Sequence, residues 1–183
     1  MNPMTSDTIR IATVADLDDI RRVMQASMAA LGVGFYDAAQ IAGAVRYIAV
    51  ADRQLIDDHT YYVAEVNGRI AACGGWSART KLFSGTAEQS AAEGWLDPAT
   101  DSARIRAMFV DPAHARRGLG RRILQAAEAA AVAAGFRTFE LMATLPGVPL
   151  YRVCGYEEIE PTTLELPDGT RLGAILMRRC PST

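Results

Sequence analysis

One segment of the chain carries residue types at a spacing that could do chemistry. It reads Ile105-Arg106-Ala107-Met108-Phe109-Val110-Asp111-Pro112, then Ala115-Arg116-Arg117-Gly118-Leu119-Gly120-Arg121. An apolar strand runs through a turn into a basic, glycine-spaced segment that opens a long alanine-rich helix. That order aims free backbone N–H groups and the positive end of a helix dipole at one point. Such a point binds phosphate or pyrophosphate, and flanking arginines reinforce it.

The spacing discriminates among phosphate binders. A Walker loop ends in Gly-Lys-Ser/Thr, where lysine and hydroxyl handle terminal phosphates and magnesium. Here Gly120 is followed by Arg121-Arg122, which disfavours a nucleotide triphosphatase. A dinucleotide fingerprint needs a third small residue three positions after Gly120, and that position is Ile123.

The elements that must position this segment are legible from periodicity and turn chemistry. Residues 9–13 read as a short strand. Thr13-Val14-Ala15-Asp16 forms a capping-box pattern, and Leu17, Ile20, Val23, Met24, Met28 and Leu31 follow at helical spacing. Gly32 and Gly34 close that helix. A second one is expected near Asp37, burying Ile41, Ala44, Val45 and Ile48. Residues 60–66 and 69–76 are β-rich runs joined by Asn67-Gly68, a turn in which both positions need positive φ. Residues 79–102 form a long polar connection around Trp95 and Leu96, either a surface excursion anchored by Trp95 or a substrate-side loop. A strand at 104–110 leads to a helix at 119–134. In that helix Ile123, Leu124, Ala127, Ala130, Ala131 and Ala134 face inward, with Arg121, Arg122, Gln125 and Glu128 opposite. Gly135 stops it. A strand at 138–143, a short helix at 149–154 and strands starting at 156–160 and 171–178 complete the chain, the last pair joined by Pro167-Asp168-Gly169. The order predicts one domain over residues 7–180, an α/β sandwich with a mixed sheet.

A chain of 183 residues, half hydrophobic, has enough apolar surface for a real core. The net charge of −2 gives no whole-surface attraction for nucleic acid or acidic membranes. Cys73, Cys154 and Cys180 form no CxxC pair, and His59 and His114 lack partners at ligand spacing. No disulfide framework and no metal site are therefore expected. The opening residues lack a signal-peptide core, so the expected location is the cytoplasm.

The segment from Val110 to Leu124 resembles the acetyl-CoA-binding motif of the GNAT superfamily of N-acetyltransferases, Gln/Arg-x-x-Gly-x-Gly/Ala. Ala115 stands in the first place, and Gly118 and Gly120 hold the glycine places. The departure at Ala115 removes one side-chain contact at most, since backbone N–H groups do most of the holding. Leu150-Tyr151-Arg152-Val153-Cys154-Gly155-Tyr156 is similar to the family's Phe-Tyr-x-x-x-Gly-Phe segment. The opening Ile9-Arg10-Ile11-Ala12-Thr13 with Asp16 and Ile20 is a weaker third match, and the element order agrees from end to end. The resemblance implies an α/β (α+β) fold with a mixed, mostly antiparallel central sheet flanked by helices. A V-shaped split is expected between the fourth and fifth strands.

The same resemblance implies a cosubstrate and a mechanism. Acetyl-CoA would lie between the strand ending Met108-Phe109-Val110 and the strand Phe139-Glu140-Leu141-Met142, its pantetheine arm against backbone N–H and C=O groups. Its pyrophosphate would rest on the amides of Arg116, Arg117, Gly118, Leu119, Gly120 and Arg121. A neutral amine would attack the thioester directly in a ternary complex, with Tyr151 as general acid to the sulfur. A phenol of pKa about 10 keeps its proton at neutral pH. Glu140 borders the split and is the candidate base, with Glu65, Glu93 and Asp101 as alternatives. His59 and His114 are the two histidines open to such a role, though His114 falls in the cofactor loop. Cys154, inside a short helix, reads as a small apolar residue rather than a nucleophile. Trp76 and Trp95 either line an acceptor pocket or fill core. Arg106 either meets an acidic acceptor group or pairs with Asp101 or a glutamate. The implied acceptor is an amine of a small molecule, amino acid or peptide. The alternative function is a non-catalytic acetyl-CoA-binding sensor of the same fold. A homodimer is compatible with either.

Overall fold

In a computed structural model, which describes residues 7–83 and 94–180, seven strands form one sheet in the order β1-β2-β3-β4-β5-β7-β6. The strands are β1 (Asp7–Ile11), β2 (Tyr61–Val66), β3 (Arg69–Ser77), β4 (Ala103–Val110), β5 (Phe139–Thr144), β6 (Glu157–Glu165) and β7 (Arg171–Arg179). Every pairing is antiparallel except β4 with β5. The fold is therefore the mixed, mostly antiparallel sheet with flanking helices that the sequence leads one to expect. Among the described residues no helix is long and apolar enough to cross a membrane.

The hairpin between β2 and β3 turns at Asn67 (φ 52°) and Gly68 (φ 75°). Both central residues take the positive φ that a two-residue primed turn requires. The first strand lies two residues earlier than the residue pattern suggests. Thr13 is already committed to the next turn, its N–H donating to Asp16 Oδ2 at 2.7 Å. Helix α1 (Leu17–Leu31) then buries Ile20, Val23, Met24, Ser27 and Met28, a one-sided stripe at helical spacing. Asp37 and Gln40 cap α2 (Ala38–Tyr47) reciprocally, each side chain accepting the other's backbone N–H at 2.8 and 3.0 Å. A five-residue helix, α3 (Arg53–Asp57), has no counterpart in the sequence reading.

Two cores lie on opposite faces of the sheet, as the alternation along its strands dictates. Val63 and Cys73 face one core with Ile20, Met24, Leu55 and Leu172. Their neighbours Ala64 and Ala72 face the other way, against Leu119 and Ile123 of α4 (Leu119–Ala133). Further along α4, Leu124, Ala127 and Ala131 pack with Phe136, Phe139, Leu141 and Met177. Glu128, expected on the outer face of α4, is buried. It accepts from Tyr156 Oη at 2.8 Å and pairs with Arg179, which gives a buried carboxylate the partners it needs. Ala134, expected to face inward, is exposed.

Candidate active site

The site begins where two parallel strands part. Ala103 pairs with Phe139 and Arg104 with Glu140, and there the β4–β5 ladder ends. Both strands continue, β4 to Val110 and β5 to Thr144, while the far edge of β5 stays bonded to β7 along its length. Burial follows the same boundary. Residues 103, 105 and 106 are buried, whereas Ala107, Met108, Phe109 and Val110 are each partly exposed. Backbone N–H and C=O groups along a parted edge can receive an extended ligand as an added strand would. A cavity occupies the split, lined by Ile105, Arg106, Ala107, Met108, Phe109, Met142, Thr144 and Tyr151. Ile48 and Val50 from the segment after α2, and Leu82 and Phe83 from the long connection, complete its lining.

At the end of β4 the chain turns at Asp111, whose carboxylate accepts from Ala113 N–H at 2.9 Å and pairs with Arg22 at 3.1 Å. Arg116 (φ 64°) and Gly118 (φ 82°) both take left-handed backbone, so the loop curls into the start of α4. Gly118 is the N-cap, no side chain caps the helix, and no acidic residue lies in its first turn. The first N–H groups of α4 thus point outward without intrahelical partners, beside the exposed Arg116, Arg117 and Arg121. A Cβ on Gly118 would meet nothing within 4 Å, whereas one on Gly120 would lie 3.1 Å from Leu150 Cδ2 and 3.3 Å from Val110 Cγ2. Gly118 therefore opens the cradle, and Gly120 lets the helix start hard against β4. A helix start of this kind is chemically suited to phosphate groups.

Residues 24–156 match the family model described as the acetyltransferase (GNAT) family, a span that contains the split, the loop and Tyr151. The chain belongs to the GNAT family of acetyltransferases. Solved structures agree in fold. The GCN5-related N-acetyltransferase "aminotransferase, class-II" from Rhodopseudomonas palustris superposes with a TM-score of 0.72 at 16% identity, over 99% of this chain and 100% of that one. The PaiA N-acetyltransferase from Thermoplasma acidophilum, solved with coenzyme A, gives 0.66 at 13% identity, over 96% and 99%. The ribosomal-protein-S18-alanine N-acetyltransferase of Escherichia coli gives 0.58 at 20% identity, over 97% and 95%. No match is found among curated protein sequences.

Within this GNAT domain Tyr151 sits on α5 (Val148–Val153), buried against the split. Its ring stands edge-on to Tyr156, with centroids 5.7 Å apart and planes at 63°. Gly147 leaves room for it, because a Cβ there would lie 3.1 Å from Tyr151 Cε2. Burial pushes the phenol well above its ordinary value, since an apolar setting penalises phenolate.

Among the described residues, the carboxylates that could serve as bases already hold other partners. Glu140 stands at the closed end of the split, paired with Arg104 and accepting from Arg178 Nε at 2.9 Å. Glu65 accepts from Arg10 Nε at 2.9 Å, in a cluster that also holds Asp16. Arg10 keeps the Asp16 carboxyl down at about 2. Asp101 accepts from Asp97 N–H at 2.7 Å, closing a local turn. Glu93 lies outside the described residues. His59 is exposed, and His114 Nδ1 lies 3.9 Å from Asp111 Oδ1.

Other sequence expectations resolve by packing. Arg106 pairs with the buried Asp52. Trp76 is core, edge-on to Phe136 at 5.8 Å. Trp95 is exposed and lies under Arg79, whose Cζ is 4.2 Å from the ring centroid, so it anchors nothing in the core. Burial raises the Cys154 thiol above its ordinary value, the wrong direction for a nucleophile. Leu82, Phe83 and Thr144 line the cavity without having been singled out. Their only sequence signal is a place within a long connection or at a strand end.

Proposed function

We propose that residues 7–180 form one domain that transfers an acetyl group from acetyl-CoA to a primary amine of a small molecule, amino acid or peptide. The observation that carries this reading is the parted β4–β5 edge leading straight into an uncapped, arginine-flanked helix start. One continuous groove thus offers strand-edge backbone for an amide-bearing arm and N–H donors for a diphosphate. The donor set fits a CoA thioester. Gly118 leaves its cradle open, and no carboxylate lies in the first turn of α4 to repel phosphate.

When bound, acetyl-CoA supplies an activated acyl carbon and a thiol leaving group. The protein supplies the rest. Backbone N–H groups from Arg116 to Arg121 hold the diphosphate, with the arginines adding charge. Met108, Phe109 and Val110 present their backbone along the pantetheine arm. Tyr151 donates its proton to the departing sulfur as the amine nitrogen bonds to the acyl carbon and the C–S bond breaks. The amine enters deprotonated and loses its second proton to solvent, from which Tyr151 regains the proton it gave to the sulfur. Glu140 acts as a structural anion between two arginines rather than as the base.

The test is release of free thiol from acetyl-CoA across a broad panel of amines, with calorimetric titration of CoA alongside. Amine-dependent release with saturable CoA binding is the expected result. Tight binding with no release across the panel would favour an acetyl-CoA sensor, and absence of CoA binding would end the reading.

A further inference from the structure

The cavity in the split has two walls, and they belong to opposite faces of the sheet. Ile105 and Tyr151 are part of the core beneath α4, and Met108 packs against that same core. Ala107, Phe109 and Met142 pack instead against the core that α1 and α2 cover, and Ile48 and Phe83 join them there. The loop proposed to hold the diphosphate opens α4, and Tyr151, assigned to the sulfur, stands on the α4 wall. A cosubstrate held at those two points runs along the first wall. The second wall is left to face the incoming amine.

That second wall is apolar and carries no net charge. Ile48, Phe83, Phe109 and Met142 give it aliphatic, aromatic and thioether surface, and Val50, 41% exposed, extends it toward solvent. Among the described residues that line the cavity, Arg106 is the one charged side chain. It is paired with Asp52, and the two side chains are only 1% and 6% exposed. A guanidinium matched in this way presents a neutral pair to the cavity rather than a cation.

Charge therefore decides what the wall accepts. A second ammonium on the acceptor would leave water for a lining that offers it no carboxylate among the described residues. A carboxylate on the acceptor would meet only a guanidinium that already has its anion. Each would lose hydration without gaining a partner. An alkyl or aryl group has no such loss and gains by leaving water.

We propose that the acceptor is a primary amine whose remaining group is uncharged and apolar, selected by the wall of Ile48, Val50, Phe83, Phe109 and Met142. This rests on the acetyl-transfer reading above and narrows its substrate from amines in general to one class.

The test uses three amines with the same four-carbon chain. Butylamine ends in a methyl group, 1,4-diaminobutane in a second ammonium and 4-aminobutanoate in a carboxylate. Thiol release from acetyl-CoA gives kcat/KM for each, referred to the free-amine form and halved for the two equivalent ends of the diamine. Calorimetric titration into CoA-saturated protein gives a second readout that needs no turnover. Butylamine should exceed both charged amines by roughly tenfold in each readout, the scale set by stranding a charged group without a partner. Val50→Glu puts a carboxylate on the wall at an exposed position. It should raise the ratio of 1,4-diaminobutane to butylamine about threefold, as expected of a solvent-screened ion pair. Val50→Gln, matched in size but uncharged, should leave that ratio alone, and CoA affinity should hold in both variants. Equal or better use of either charged amine, in either readout, would overturn the proposal. So would equal effects of the glutamate and glutamine variants, or butylamine giving no response in either readout. Saturable CoA binding with no release from any amine would instead overturn the acetyl-transfer reading, and the order in which the three amines bind would still decide this inference.

Discussion

Tyr151 and Glu140 are both buried at the split, yet their surroundings suit them to different duties in the proposed reaction. The tyrosine is set in apolar packing that raises its pKa, which suits a donor. Tyr151→Phe should lower kcat about a hundredfold, within the range for loss of a general acid, while calorimetric affinity for CoA stays the same. Full activity in that variant would remove the assigned role. The pH profile follows by sign. A group that must be protonated, with its pKa raised above about 10, cannot cause a decline below that value. Once the amine substrate is deprotonated, kcat should therefore stay level between about pH 8 and pH 10, and a decline there would point to another acid. Glu140 gives the converse case. It neutralises Arg104 and Arg178, so Glu140→Gln leaves two guanidinium groups without their anion. The expected cost is about 2–3 kcal/mol of unfolding free energy, with kcat held within about threefold. A stable Glu140→Gln protein that had lost two orders of magnitude in kcat would restore it as the base.

Two elements make the groove, and they differ in how openly their residues announce them. The start of α4 is local chemistry, in which glycines at 118 and 120, arginines around them and a strand before them fix a loop whatever lies elsewhere. Gly118 offers a clean test. Its φ of 82° and open surroundings mean that Gly118→Ala adds strain alone, about 1 kcal/mol. Gly118→Glu adds the same strain plus a negative charge where a diphosphate is proposed to sit. CoA affinity should fall more than tenfold for the glutamate and little for the alanine, and equal losses in the two would argue that conformation, not charge, matters there. The Asn67-Gly68 hairpin was legible for the same local reason. The register shift between β3 and β4, where Gly74 alone faces both Ala107 and Met108, was not, because it is written in no motif. It depends on residues of other strands: Gly74 leaves room for Met108, and Tyr61 donates to the Ala107 carbonyl. Arg106 was conspicuous as a charge in an apolar strand, but its partner Asp52 lies 54 positions earlier in the chain, and no local pattern links them. Helix α3 is too short to leave a periodicity. Glu128 was placed on the solvent face because a charge on an amphipathic helix usually goes there, and only Tyr156 and Arg179, from the far end of the chain, explain its burial.

At the scale of the molecule, the sheet is a wedge opened from one end. Its two cores hold β4 and β5 from opposite faces, and their N-terminal ends are closed by two residue pairs and the Arg104–Glu140–Arg178 cluster. Beyond β5, Tyr36 ties the end of that strand to β7, donating to Gly173 O at 2.7 Å and accepting from Leu145 N–H at 2.8 Å. The opening is thus framed by fixed elements rather than left to a loose edge, and a ligand lying along it would touch β4, α4 and α5 together. Such a ligand should stabilise the whole fold by mass action, by about 2.7 kcal/mol at a hundred times its dissociation constant. For a chain of this size that corresponds to an upward shift of about 5–10 °C in Tm. ATP and NAD share the adenosine diphosphate portion of CoA but lack the pantetheine arm. If the strand edge and the helix start act as one groove, CoA should raise Tm well beyond either nucleotide at equal concentration. If only the helix start binds, all three should shift it alike. The second outcome would reduce the site to a phosphate cradle and detach the parted strands from any role in holding the cosubstrate.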